Sequence, residues 1–122
     1  MTRQEMFNLG YLGVLAQGAP AASGQNCQYF VPETGDRCAV GYVLPLDDAM
    51  KMAGIVCGAS GLRKHIDVPW DREDDQFMNR FQGETHDRAE AASTTQGKDF
   101  IEMFKIFSAT FAEMNNLEIP TS

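Results

Sequence analysis

Near the C-terminus, Phe100, Phe104, Phe107, Phe111 and Met114 follow one another at intervals of four, three, four and three residues. That spacing lines five large apolar side chains along one face of an α-helix, and a strand period does not reproduce it. A helix is therefore expected from about Lys98 to Asn116. Its apolar face has to be covered, so the rest of the chain must supply packing partners. Ile101, Ile106, Ala109 and Ala112 carry apolar surface onto the flanks and back of the same helix. A helix apolar on more than one face needs either a wide internal core or a second chain against it. An interface is the favoured expectation, with a homodimer through this C-terminal helix as the simplest symmetric form.

The segment before it also reads as a helix. Asp71 is placed to cap it, and Glu73, Asp74 and Asp75 suit a first turn because the N-terminal end of a helix favours negative charge. Phe77, Met78, Phe81, Thr85 and Ala89 form the inward stripe, Gly83 marks a point of bending, and Thr94 to Gly97 makes a break. His86 falls opposite this stripe, with Asp75, Asn79, Gln82 and Glu90, and is expected on a solvated face. A change of register at Gly83 would instead turn His86 inward, as a hydrogen-bonding pair with Asp87.

At the other end, Thr2-Arg3-Gln4-Glu5 fits a capping box, in which hydroxyl and carboxylate satisfy the first free amides. The helix it opens should reach about Gln17, with Phe7, Tyr11, Val14 and Leu15 facing the core. Gly10 and Gly13 each cost about 1 kcal/mol relative to Ala in a helix. Their pairing on one face points to close approach of another element.

The middle is more varied. Gly18 to Gly24 reads as a loop. Cys27, Tyr29 and Val31 alternate with Gln28 and Phe30, as in a half-buried strand, and Pro32 to Asp36 supplies turn residues before Arg37-Cys38 begins a return. Cys38 to Leu44 suggests a short buried helix, with a strand as the alternative. Pro45 closes it, and Asp47-Asp48 open a further helix to near Ala53. Residues 54 to 61 read as an irregular loop. The expected fold class is α+β: one compact, mostly α-helical domain over residues 1–122 with one small antiparallel β-hairpin.

Several of these residues carry a resemblance. Cys27-x-Tyr29, Gly35-x-Arg37-Cys38-Ala39-Val40-Gly41 and Val43-Leu44-Pro45 resemble a family of short, uncharacterised proteins of tailed bacteriophages. In that family a Cys-x-Tyr strand precedes a Gly turn and a Cys-Ala-x-Gly segment ending in Pro. His86-Asp87 matches a His-Asp pair later in the pattern, although Thr85 stands where the family has an aliphatic residue. The resemblance implies a phage or prophage origin and a cytoplasmic setting in the host. It implies no activity.

Charge and composition exclude some classes. Ten Lys and Arg against seventeen Asp and Glu leave a net charge of −7, the wrong balance for gripping a phosphate backbone, so no nucleic-acid partner is expected. No apolar run approaches the roughly 18 residues of a membrane-spanning helix, so no membrane partner is expected either. Leu9 to Ala16 followed by Ala19-Pro20-Ala21 faintly resembles a secretion signal. Glu5, Asn8, Gly10 and Gly13 break that pattern, which favours a cytoplasmic protein. Three cysteines do not make a disulfide framework.

The chemistry-bearing candidates are few. Cys27 and Cys38, with one or two of Cys57, His65 and His86, would suffice for zinc, but no pair has the close spacing usual for it. The bland alternative is small buried hydrophobes. Cys57, within a glycine-rich stretch, is a candidate nucleophile with His65 or His86 as base, although an acidic chain does little to activate a thiol. Gly58 to Lys64 offers a possible anion nest. Trp70 is either a partner anchor or a core plug. The acidic turn at Asp71 to Asp75 admits mimicry of nucleic-acid charge, which helix-dipole pairing explains as well. No catalytic, metal or cofactor residue is assigned. The leading reading is a small non-enzymatic accessory protein of phage type, acting through protein–protein contacts, with itself or a host protein. The alternative is a zinc protein or small enzyme using the Cys and His residues.

Overall fold

The computed structural model describes residues 1–23 and 26–121, with the backbone alone at 22, 23, 26 and 27. Helix α1 spans Arg3–Gln17. It opens on the expected capping box: the Glu5 amide donates to Thr2 Oγ1 at 3.1 Å and the Thr2 amide to Glu5 Oε1 at 2.7 Å. Helix α2, Ala39–Val43, is short and buried. It packs across α1 at the two glycines. A methyl group on Gly13 would lie 2.3 Å from the Tyr42 ring, and one on Gly10 would lie 2.8 Å from the Ala39 carbonyl oxygen and 2.6 Å from the Phe81 ring. Close approach, bought with two helix-weakening residues, is thus what Gly10 and Gly13 provide.

Helix α3, Leu46–Lys51, carries Asp47 and Asp48 in its first turn. A 3-10 helix follows at Ala59–Lys64. After a 3-10 turn at Arg72–Asp74 comes α4, Asp75–Phe81, which continues through a π-helical stretch, Gln82–Asp87, into α5, Arg88–Gln96. Gly97, at φ 67°, turns the chain into α6, Phe100–Met114, where the Asp99 carboxylate accepts from the Glu102 amide at 2.8 Å. No helix among the described residues is long and apolar enough to cross a membrane.

The core is an aromatic stack at the crossing of α1, α4 and α6. The Phe7 ring lies 5.4 Å from Phe81 and 6.2 Å from Phe111, and Tyr11 lies 5.7 Å from Phe104. Each fully buried Phe contributes about 1.5–3 kcal/mol of transfer free energy, so this cluster outweighs the short local elements around it. Phe77, Met78, Phe81, Thr85 and Ala89 are all buried as the stripe requires. On α6 the stripe is shifted. Ser108 and Ala112 take inward places, Phe107 lies half-exposed with Arg88 4.1 Å above its ring, and Met114 is 74% exposed. Trp70 is buried, as a core plug should be.

The expected fold class does not hold. The protein is helical, not α+β, and the hairpin over Cys27 to Cys38 does not form. The turn at its centre exists, with the Val31 amide donating to the Asp36 carbonyl at 2.8 Å and Gly35 to Val31 at 2.7 Å. No ladder extends from it. Gln28 and Tyr29 are both buried, which an alternating strand forbids, and the Gln28 amide donates back to the Ala21 carbonyl. On the other side, the chain after Arg37 goes straight into α2. The strand pairing among the described residues is a two-residue antiparallel contact, Ala22–Ser23 with Asn26–Cys27, which closes a turn and builds no sheet. A two-stranded ribbon alone is only marginally stable, and the α1–α2 contact satisfies this segment better. Glu73, Asp74 and Asp75 do fall in first turns, but the helix start is corrected. Asp71 makes no capping bond from its side chain, and α4 begins four residues later.

Candidate functional site

The densest buried polar group lies in the π-helical stretch. A π turn hydrogen-bonds five residues apart where an α turn bonds four, so it delays the register of every side chain after it. His86, expected on the solvated face by α-helical register, is therefore carried inward and is 0% exposed. Its Nε2 accepts from the Ala21 amide at 3.1 Å. The ring proton must then sit on Nδ1, which faces Asp87 Oδ1 at 3.1 Å. Gln82 completes the group: its Nε2 donates to Asp87 Oδ1 at 2.8 Å, and its Oε1 accepts from the Val40 amide at 3.0 Å. The Phe100 ring meets the imidazole edge-on at 5.4 Å.

This arrangement fastens three separate segments: the loop at Ala21, the start of α2 and the long helix. Both imidazole nitrogens are engaged, so His86 presents neither a base nor a metal ligand to an incoming molecule. Nearby, a methyl group on Gly41 would stand 2.3 Å from the Tyr29 carbonyl oxygen. The backbones of Tyr29 and Gly41 thus pack beside the Val40 amide that Gln82 holds. Gln82 was not singled out in the sequence as part of this group; its signal is the four-residue spacing to His86.

The remaining Cys and His candidates do not converge. Cys38 is buried among apolar neighbours and Cys57 is half-buried. His65 is exposed, and the side chain of Cys27 lies outside the described residues. Among the described residues no three His, Cys, Asp or Glu groups are placed to hold a metal ion. Burial pushes the Cys57 thiol up from its ordinary value, and the Tyr29 hydrogen bond and Lys64 charge offset this only in part. A raised thiol is the reverse of an activated nucleophile.

The anion nest fares no better. The Ala59 amide is already donated to Asn79 Oδ1 at 2.5 Å, and the Gly61 amide to the Gly58 carbonyl at 2.9 Å. Beside it, a cleft of about 390 Å³ is lined by Lys51, Arg63, Lys64 and His65, with Asp48 and Asp67. Lys51 lies 3.6 Å from Asp48, and Arg63 is bound to Asp75 at 3.2 Å, so two of its cations are already paired within the fold.

Asp75 lies in the first turn of α4, as expected, and is also a second buried fastener. It is 8% exposed and accepts from Trp70 Nε1 at 2.9 Å and from Arg63 Nε at 3.2 Å, while Arg63 Nη2 donates to the Trp70 carbonyl at 2.8 Å. Burial raises its carboxyl, but the bonds from Arg63 and Trp70 and the charges of Arg63 and Arg72 outweigh this and hold it below the usual value.

The unsatisfied surface is on α1. Its core face carries Met6, Phe7, Tyr11 and Val14, yet Leu9, Leu12 and Ala16 line the opposite face, with Leu9 45% exposed. Between this face and α6 runs a groove of about 590 Å³ walled by Leu12, Leu15, Ala16 and Ile101, with Lys105 and Thr121 at its rim. The second apolar face expected of α6 is reduced. Ala112 is buried and Ile101 half-buried, leaving Ile106 and Ala109 exposed. Comparison with protein-family models, curated proteins and solved structures found no match to any of the three, so the site is defined by its own geometry.

Proposed function

We propose that this protein acts by contact and not by chemistry, as a non-enzymatic accessory protein of phage type whose working surface is the α1–α6 groove and whose partner is a second copy of itself. The observation that carries this reading is the double-faced α1. An amphipathic surface helix turns one stripe inward and leaves its outer face polar. Here the outer face adds Leu9, Leu12 and Ala16 to the Leu15 and Ile101 walls of the groove. The two buried polar groups support it from the other side, since each spends its hydrogen-bonding capacity on internal segments.

A charge placed in the groove tests it. Ala16 is exposed on the groove wall, so Ala16→Glu leaves the aromatic core intact while setting a carboxylate against any apposed apolar surface. Light scattering over a concentration series should show the wild type associating and Ala16→Glu remaining monomeric, with circular dichroism unchanged. Equal association of the two proteins would place the interface elsewhere.

A further inference from the structure

Gln28 is only 8% exposed, yet half of its side-chain amide is unused by the fold. Its Oε1 accepts from the Gly54 amide at 3.3 Å, which leaves Nε2 as the other branch of the amide. Among the described residues no group accepts from Nε2. That nitrogen is not sealed off as Arg37 Nε and Ser108 Oγ are, and a cleft of about 280 Å³ lies against Gln28. Two short turns wall the cleft. One carries Val31, Pro32 and Glu33 and is closed by the Gly35 amide on the Val31 carbonyl at 2.7 Å. The other carries Ala53 and Gly54 and is closed by the Ile55 amide on the Met52 carbonyl at 3.0 Å. A methyl group on Gly54 would meet nothing within 4 Å, so the space over this backbone is open. Glu33 is exposed and forms no ion pair with a described residue.

We propose that this cleft is a binding site for the free N-terminus of a peptide whose first side chain is apolar. The chemistry of the lining selects that class. Gln28 Nε2 offers a donor and needs a carbonyl oxygen. Glu33 offers a carboxylate and takes an ammonium group in a charge-assisted bond. Val31, Pro32 and Ala53 supply an apolar wall for a short side chain. An α-amino amide carries all three groups on adjacent atoms, and capture of a terminal amine is an established mode of peptide recognition. Drug-sized ligands occupy roughly 300–1,000 Å³, so this cleft holds one residue and not a longer segment. A free amino acid would add a second carboxylate beside Glu33 in a chain of net charge −7, which favours the amide. The cleft shares no residue with the α1–α6 groove, so the two readings stand or fall separately.

The test is a nitrogen–proton NMR titration of the whole chain with leucinamide, N-acetyl-leucinamide and leucine. Leucinamide should shift the Gln28 side-chain amide pair and the Gly54 amide saturably, and severalfold more tightly than the other two. Glu33→Gln, on an exposed side chain, should weaken leucinamide severalfold with the spectrum otherwise unchanged. Gln28→Glu keeps an acceptor for the Gly54 amide but replaces the donor, and should abolish the saturable shifts. No saturable shift with leucinamide would overturn the site. Equal affinity for N-acetyl-leucinamide, or binding unchanged in Glu33→Gln, would overturn recognition of the amine. Tighter binding of leucine than of leucinamide would overturn the peptide assignment in favour of a free amino acid.

Discussion

Ser108 lies on the inward face of α6 with no exposure, and its hydroxyl has no hydrogen-bond partner among the described residues. A helical Ser usually returns its proton to the carbonyl one turn back. A buried hydroxyl left without a partner costs about 1–3 kcal/mol of desolvation. Ser108→Ala should therefore stabilise the protein by about 1 kcal/mol, read as a higher urea midpoint at unchanged slope. Asp75 works in the opposite sense. Its carboxyl is held below the usual aspartate value in the folded state, so the unfolded chain takes up the proton first as pH falls. The stability it supplies is complete above about pH 4 and is lost below that, as pH drops through the folded value. Asp75→Asn should lower stability at neutral pH by about 1.5–3 kcal/mol, the worth of charge-assisted bonds, and should flatten the acid limb of stability against pH. An unaltered acid limb would show that other carboxylates govern it.

Elements separate according to how local their causes are. The capping box at Thr2 and Glu5, the length of α1 and the inward stripe of α4 were all legible, because each depends on residues within a turn or two. The glycines of α1 were legible as a close approach, though not what approached. The consequence is a contrast between glycines in helical backbone. Gly13→Ala would press a methyl group into the Tyr42 ring and should destabilise by about 1–3 kcal/mol, the range for overpacking. Gly83 meets open space, so Gly83→Ala should stabilise by up to about 1 kcal/mol through helix propensity. Thermal unfolding of the two variants distinguishes them directly. The hairpin was misread because the alternation in residue type is not kept in burial: Gln28 is buried beside Tyr29, Tyr29 packs its carbonyl against Gly41, and Cys38 leads into α2. His86 was assigned outward since an α-helical register was assumed through Gly83, and a π turn leaves no mark in a single sequence. Asp75 looked like one of several dipole carboxylates, and nothing local shows that Arg63 and Trp70 will fold over it.

At the scale of the whole molecule, two buried polar groups fasten the helices around an apolar core, while a few large apolar side chains stay exposed. His86, Gln82 and Asp87 tie the Ala21 loop and α2 to the long helix, while Asp75, Arg63 and Trp70 tie the 3-10 segment to α4. Against this interior, Leu9 and Ala16 are exposed on the outer side of α1, Ala16 at the groove. In the proposed reading, the contact expected through α6 is centred on α1 and the groove beside it. The most direct measurement is sedimentation equilibrium of the wild-type protein from micromolar to near-millimolar concentration. Contact through the α1–α6 groove requires the mass to rise from one chain to two and stop there; a single-chain mass across the whole range would contradict it.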